Sequence, residues 1–359
     1  MELGLFPRPH HLEVGGEGPA PDCPVIERHD GSLPAEGFGI DIDSDGIELT
    51  HADAAGLGYG RRTLAQIRAG SADRPPLLRL RDWPDFPVRG YMLDVSRNRV
   101  PTRATLERLV DLMALARINQ FQLYTEHTFA YRDHEAVWRE ASPITPEDVQ
   151  WLDGRCRAAG IELVPNQNCF GHMERWLAHP AYRHRAEAPD GFEPAPGFVR
   201  PPAVLAPTQD NADFVLGLLA ELLPNFTSHR VNVGCDETFE LGLGVSRAAV
   251  EERGKAAVYV EHLRRIVAPL VAGGREVQFW DDIVRHQPDL LRTLPPGTVA
   301  VAWHYDAPGA PPQIKEVLDR FDIDLPLGGF EDLAPRIADT GFPFWVAPGT
   351  SSWNSLVGR

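Results

Sequence analysis

HRVNVGCDETFELG, residues 229–242, is a short apolar run that ends in two adjacent carboxylates, Asp236 and Glu237. The same plan recurs along the chain from Val88 onward. GYMLDVS (90–96), INQFQLY (118–124), GIELVPN (160–166), EVQFW (276–280), TVAVAWH (298–304) and FPFWVAP (342–348) are the other apolar runs. Amphipathic stretches separate them, and that alternation is the signature of βα units around a parallel sheet. Leu106, Leu109, Val110 and Met113 mark one helix face, and Val149, Leu152 and Cys156 mark another at i, i+3 and i+7. The second carries its own punctuation: Thr145 as N-cap, Pro146 in the first helical position, Asp148 in the first turn and Gly160 just past the end. Further helices are expected over 211–223, stopped by Pro224, and over 246–271, stopped by Gly273 and Gly274.

Nearly every run ends in a chemically capable group. The pairs are Asp94 and Arg97, Glu126 and His127, Asn166 and His172, Asp236 and Glu237, Trp280 and Asp281, and Trp303 and His304. A (β/α)8 barrel collects its active site from the C-terminal ends of all its strands, whereas a doubly wound sheet concentrates it at one switch point. The distribution favours the barrel. GVGxxG-type spacing is absent, and GLGYG at 56–60 precedes no suitable strand and reads as a turn. Upstream, the Pro- and Gly-rich residues 1–36 read as loop. Residues 38–43 and 46–50 suggest a hairpin, and 59–69 a helix. The Pro-rich connector RPPLLRLRDWPDFP then sets a boundary near residue 87, giving a small α/β domain over 1–87 and a barrel over 88–359.

The 359 residues are 43% hydrophobic and 24% charged, the balance of a globular chain. With 35 Lys and Arg against 51 Asp and Glu, the net charge of −16 repels a nucleic-acid backbone and an anionic membrane surface. It does not disfavour a neutral ligand. No apolar run approaches the roughly 18 residues of a membrane span, and the opening lacks a secretory pattern, so a cytoplasmic location is expected. Cys23, Cys156, Cys169 and Cys235 show neither zinc nor disulfide spacing.

An apolar strand ending in adjacent carboxylates presents one to each face unless the chain turns there. At a barrel rim, Asp236 and Glu237 could then divide acid and charge-stabilising roles as glycoside hydrolysis requires, or else cap a helix or form ion pairs. Arg97 could clamp two sugar hydroxyls with its planar fork, or pair with Asp94. Glu126 and His172 could orient a carboxylate or bond a hydroxyl, or complete a rim network. A metal on His172 and Asp236 would need ligands that the spacing does not nominate. Trp280, Trp303 and Trp353 end or follow three late runs, where indole faces suit sugar rings as well as a core.

These motifs resemble family 20 glycoside hydrolases, the β-N-acetylhexosaminidases, over most of the chain from about residue 38. GLGYGRRTLAQI (56–67) is similar to the end of the small domain, LRDWPDFPVRGYMLDVSRNRVP (80–101) to the approach to the first barrel strand, and GCDETFELG (234–242) to the catalytic carboxylate motif. The resemblance implies a retaining exo-enzyme that removes terminal β-linked GlcNAc or GalNAc by substrate assistance, without metal or cofactor. It makes Glu237 the general acid and base, Asp236 the holder of the 2-acetamido N–H, and Arg97 the ligand of the 3- and 4-hydroxyls. His172 lies in CFGHM, similar to the family's Pro-Gly-His segment, and Glu126 stands where the family often has Asp. Trp280 and Trp303 would line the acetamido and sugar pocket.

Two departures stand out. PNQNCFGH carries Asn166 and Asn168 where the family carries acids. WVAPGTSSWN offers Ser351, Ser352 and Trp353, but no seventh-strand tyrosine for the acetamido carbonyl. The chain also stops soon after the seventh run, so the barrel is expected to lack its eighth unit. A sugar-binding homologue without catalysis, or a metal-dependent barrel hydrolase or isomerase using Glu126, His172, Asp236 and Asp281, are the alternative expectations.

Overall fold

The computed structural model describes residues 3–20, 23–71, 74–97, 99–195, 197–305 and 329–349. Two compact units are present. One comprises Met1–Tyr91, Thr102–Phe121 and Gly154–Glu162, and the other Met92–Pro101, Gln122–Asp153 and Leu163–Arg359.

In the first unit β1 (His11–Glu17), β2 (Val25–His29), β3 (Phe38–Ile42), β4 (Ile47–His51) and β5 (Pro76–Asp82) form one sheet, in the order β1-β5-β3-β4-β2. The expected hairpin is β3 and β4, paired antiparallel from Phe38 with His51 to Ile42 with Ile47. The loop expected over 1–36 is instead two strands, β1 and β2. Both are sheet edges with almost every residue exposed, so neither has a buried face to sustain a long alternation, and β1 shifts register between Val14 and Glu17 at its paired glycines. Phe38, Ile40, Ile47, Leu49, Leu78 and Leu80 pack against Tyr59, Leu64 and Ile67 of α1 (Ala54–Gly70).

GLGYG is no turn: it lies inside α1, which starts at the Asp53 cap, its side chain accepting from Gly56 N–H at 2.9 Å. The glycines permit close packing. A Cβ at Gly56 would stand 2.3 Å from the Gly37 carbonyl oxygen, and one at Gly60 2.4 Å from Leu49 Cδ1.

All seven apolar runs contain strands. β6 (Gly90–Asp94), β7 (Gln120–Tyr124) and β8 (Glu162–Val164) make one sheet in that order. After a small hairpin of β9 (Phe192–Ala195) and β10 (Phe198–Arg200), a second sheet runs β11 (Arg230–Asn232), β12 (Glu276–Trp280), β13 (Thr298–His304) and β14 (Phe344–Pro348), all parallel. A parallel bridge between Asn166 and Asn232 joins the end of β8 to β11.

Helix Pro146–Ala158 is capped as its sequence suggests. Thr145 Oγ1 accepts from Asp148 N–H at 3.2 Å, and Asp148 Oδ2 accepts from Thr145 N–H at 3.1 Å. The long helix expected over 246–271 is two, Arg247–Arg253 and Lys255–Ala272, because Gly254 takes φ +84° and breaks the ladder between them.

A buried carboxylate ties the first unit together. Asp82 receives the Arg117 guanidinium, the His10 ring at 2.8 Å and its own neighbour's Trp83 N–H at 3.0 Å. Removing one partner of a buried pair strands the other charge, at a cost of about 3–5 kcal/mol. Asp82→Ala is therefore expected to lose about that much stability in urea unfolding, and a loss below about 1 kcal/mol would show that the pair is solvated.

Candidate active site

Side chains two residues apart on neighbouring strands build the site in steps, because every second residue of a strand faces the same side. The lowest step is a ring of amides. Gln122 Nε2 donates to Gln278 Oε1 at 2.8 Å, and Gln122 Oε1 accepts from Asn232 Nδ2 at 3.2 Å and Asn166 Nδ2 at 3.5 Å. Two residues further along lie Tyr124, Asn168 and Trp280. Asn168 Nδ2 donates to the Tyr124 hydroxyl at 2.6 Å, which commits the phenol's own proton to Asp236 Oδ2 at 3.0 Å. One more step brings Glu126, Asp236 and Asp282.

The two adjacent carboxylates do not point to opposite faces. β11 ends at Asn232, and the chain then turns through positive φ at Gly234 (+66°), Cys235 (+68°) and Glu237 (+49°). Asp236 and Glu237 consequently line one cavity, with Arg97, Tyr124, His172, Trp280, Trp303 and Tyr305. The turn demands glycine: a Cβ at Gly234 would stand 1.4 Å from Asn168 Oδ1, and one at Gly171 1.9 Å from the Asp236 carbonyl oxygen. Asp236 is buried, and among the described residues its Oδ1 has no hydrogen-bond partner.

His172, itself at φ +56°, is the hub. Its Nδ1 lies 3.3 Å from Glu126 Oε1, while its Nε2 lies 3.3 Å from Asp236 Oδ2 and 3.2 Å from Glu237 Oε2. Burial alone would favour the neutral ring, but the charge and hydrogen bond of Asp236, then Glu237, outweigh it and raise the imidazole well above its ordinary range. Arg97 Nη1 donates to Glu126 Oε1 at 2.6 Å, and its Nε stands 4.0 Å from Asp94 Oδ2. Burial pushes the Glu126 carboxyl up to about 7, against the pull of His172 and Arg97.

Glu126 thus stands behind Arg97 and His172, outside the residues that line the cavity. Its backbone is fixed: the N–H donates to Ser96 Oγ at 2.8 Å, and the carbonyl accepts from Trp176 Nε1 at 2.8 Å and Gln167 Nε2 at 2.9 Å. The carboxylate on His172 Nδ1 comes from the second strand, at the position where the family often has Asp. Trp280 is buried and Trp303 half-buried in the cavity wall; Trp353 lies outside the described residues, as do Ser351 and Ser352.

The four-residue ion site is not assembled. Asp281 is bound to Arg285, with Oδ1 2.7 Å from Nη2. Among the described residues the trio close enough to share an ion is Glu126, His172 and Glu174, and there the Arg97 guanidinium already holds the Glu126 oxygen.

Tyr124, Tyr305 and Asp282 belong to the site without having been singled out from the sequence. Tyr124 and Asp282 were within reach of the two-residue rule, counted back from Glu126 and forward from Trp280. Tyr305 follows β13 directly; burial, then the charges of Asp236, Asp282 and Glu237, raise its phenol.

Residues 86–319 match the family model described as "Glycosyl hydrolase family 20, catalytic domain", and residues 3–83 match "Glycosyl hydrolase family 20, domain 2". Human "Hexosaminidase D" is 26% identical over 272 residues, covering 73% of this chain and 51% of its own length. A "Beta-hexosaminidase" of Akkermansia muciniphila is 24% identical over 318 residues, covering 78% and 62%. The chain therefore spans about half to three fifths of these relatives.

Among solved structures, a β-N-acetylhexosaminidase from Bacteroides fragilis superposes with a TM-score of 0.72 at 18% identity, over 97% of this chain and 75% of that one. One from Streptomyces coelicolor gives 0.71 at 18%, over 100% and 79%. At such identities the likeness carries the fold, a (β/α)8 TIM-type barrel domain preceded by a small domain. The two family matches, which together take in most of the sequence, place this chain in glycosyl hydrolase family 20.

Proposed function

We propose that this protein is a retaining exo-β-N-acetylhexosaminidase that cleaves terminal β-linked GlcNAc or GalNAc, the substrate's own 2-acetamido oxygen attacking the anomeric carbon. The observation that carries this reading is the state of Asp236. One of its oxygens is held by Tyr124, and the other is buried and unpartnered among the described residues. A buried acceptor of this kind is costly unless a donor arrives, and the amide N–H of an acetamido group is a donor of the right kind. Holding that N–H turns the acetamido carbonyl toward the anomeric carbon and stabilises the positive charge of the oxazolinium that forms.

Glu237, with 39% of its side chain exposed, protonates the glycosidic oxygen as the bond to the leaving group breaks. It then takes a proton from the water that opens the oxazolinium, so acid and base are one residue acting in sequence. Retention follows because the anomeric carbon is inverted twice, first by the acetamido oxygen and then by water. Arg97, its fork oriented by Glu126 and Asp94, binds the 3- and 4-hydroxyls. Trp280 and Trp303 supply apolar walls for the acetamido methyl and the sugar face. Trp353 is proposed as a further sugar-stacking residue only from its place after the last apolar run of the sequence.

The ligand is a small neutral sugar, which suits a chain of net charge −16. Among the described residues no helix is long and apolar enough to cross a membrane. The domain division proposed is 1–87 and 88–359.

A panel of aryl β-glycosides with and without the 2-acetamido group tests the reading directly. Cleavage is expected only where the acetamido group is present; equal rates on both kinds would remove substrate assistance. Glu237→Gln is expected to cut turnover about 10²- to 10⁴-fold on substrates with poor leaving groups, and a folded variant with wild-type turnover would take Glu237 out of the reaction. Asp236→Asn should lower kcat more than it raises KM, since its contact strengthens as charge develops. A change confined to KM would make Asp236 a ground-state contact only.

A further inference from the structure

Directly after β12 come two aspartates with different employment. Asp281 is fully buried and spends its carboxylate on Arg285. Asp282 faces the other way in function: its Oδ2 accepts the backbone N–H of Glu237 at 2.9 Å, and its Oδ1 accepts the indole N–H of Trp303 at 2.5 Å. Arg285 secures the same tryptophan from behind, donating to its carbonyl at 2.9 Å and lying 4.8 Å over its ring. One carboxylate therefore ties the peptide of the acid residue to the wall of the cavity.

That tie bears on a strained place. Glu237 sits at φ +49°, a left-handed conformation that is unfavourable for a non-glycine residue and persists where surrounding bonds hold it. Two N–H donors converge on Asp282, one on each oxygen. A carboxylate accepts both; an amide offers one oxygen and one NH2, leaving one of the donors facing another donor. The requirement is for an acid at this position, although Asp282 is not among the residues that line the cavity.

We infer that Asp282 is a positioning residue for the general acid: it holds the Glu237 backbone and Trp303 in register, so that the Glu237 carboxyl is aimed at the leaving-group oxygen. The inference rests on the hexosaminidase reading and adds to it a residue that acts through Glu237 without touching the sugar.

Its signature is a dependence on the leaving group. A misaimed acid matters little when the departing phenol is a strong acid that needs no proton, and matters progressively more as the phenol becomes weaker. The experiment measures kcat/KM of wild type and Asp282→Asn on a series of aryl N-acetyl-β-glucosaminides, from 2,4-dinitrophenyl to unsubstituted phenyl. The expected loss is small for dinitrophenyl and grows to about 10- to 100-fold for phenyl. A loss of the same factor across the series, or no loss, overturns the inference, since a merely structural residue would lower all substrates alike.

Should Asp282→Asn fail to fold, Trp303→Phe keeps an aromatic wall but removes one of the two donors that orient Asp282. It should steepen the same dependence, and a parallel line overturns the inference. A wild-type protein that cleaves none of the series refutes the hexosaminidase reading itself, an outcome distinct from either variant result.

Discussion

Three carboxylates, those of Glu126, Asp236 and Glu237, meet on the imidazole of His172, and the rest of the site is arranged to make that meeting tolerable. Carboxylates brought together out of water repel one another and lose hydration, so they need cations at contact distance. The raised His172 supplies one charge and Arg97 the other, through the same Glu126 oxygen. The backbone pays for the geometry in left-handed residues at His172, Cys235 and Glu237, and in the two glycines, Gly171 and Gly234, without which the strand-end loops could not touch. Beneath this cluster the amide ring of Gln122, Asn166, Asn232 and Gln278 fills the interior with groups that satisfy one another, so the layer carrying the charges rests on polar but neutral ground.

This also accounts for the two asparagines in PNQNCFGH. An acid at position 168 would add another negative charge against Tyr124 and Asp236. Asn168 instead donates to the Tyr124 hydroxyl and turns that hydroxyl's proton toward Asp236. The carboxylate that His172 requires comes from Glu126, whose backbone is pinned by Ser96, Gln167 and Trp176.

Much of this was legible because strand periodicity is a local property. Seven apolar runs, nearly all followed by a polar or aromatic group, told where strands would lie and that their C-terminal ends would carry the chemistry. Asp236, Glu237, Arg97, His172, Trp280 and Trp303 follow from that alone, and all six line the cavity. What escaped was set by tertiary contact. β1 and β2 are edge strands with no buried face, so nothing in their composition distinguishes them from loop. The glycines of GLGYG read as a turn because their purpose, letting α1 approach Gly37 and Leu49, is invisible in one dimension. Asp282 was hidden for a related reason: its partners, Glu237 and Trp303, come from the neighbouring strand ends on either side.

The charge count of the finished pocket then bears on the reaction. Around Arg97 and His172 stand Asp94, Glu126, Asp236, Glu237 and Asp282; burial raises Asp94, Glu126 and Asp282, and on the proposed reading Glu237 holds the proton that it donates. A neutral glycoside gains little from these groups when it binds. On the proposed reading, positive charge develops at the anomeric carbon and on the acetamido group as the glycosidic bond breaks, and there the Asp236 carboxylate becomes attractive. Because those groups are already fixed by Tyr124, His172, Arg97 and the Glu237 amide, they need not reorganise when the charge appears, which is the condition under which electrostatic stabilisation is largest. Gathering carboxyl groups around His172 in the resting protein and, on the proposed reading, stabilising a cation in the transition state are two consequences of one arrangement.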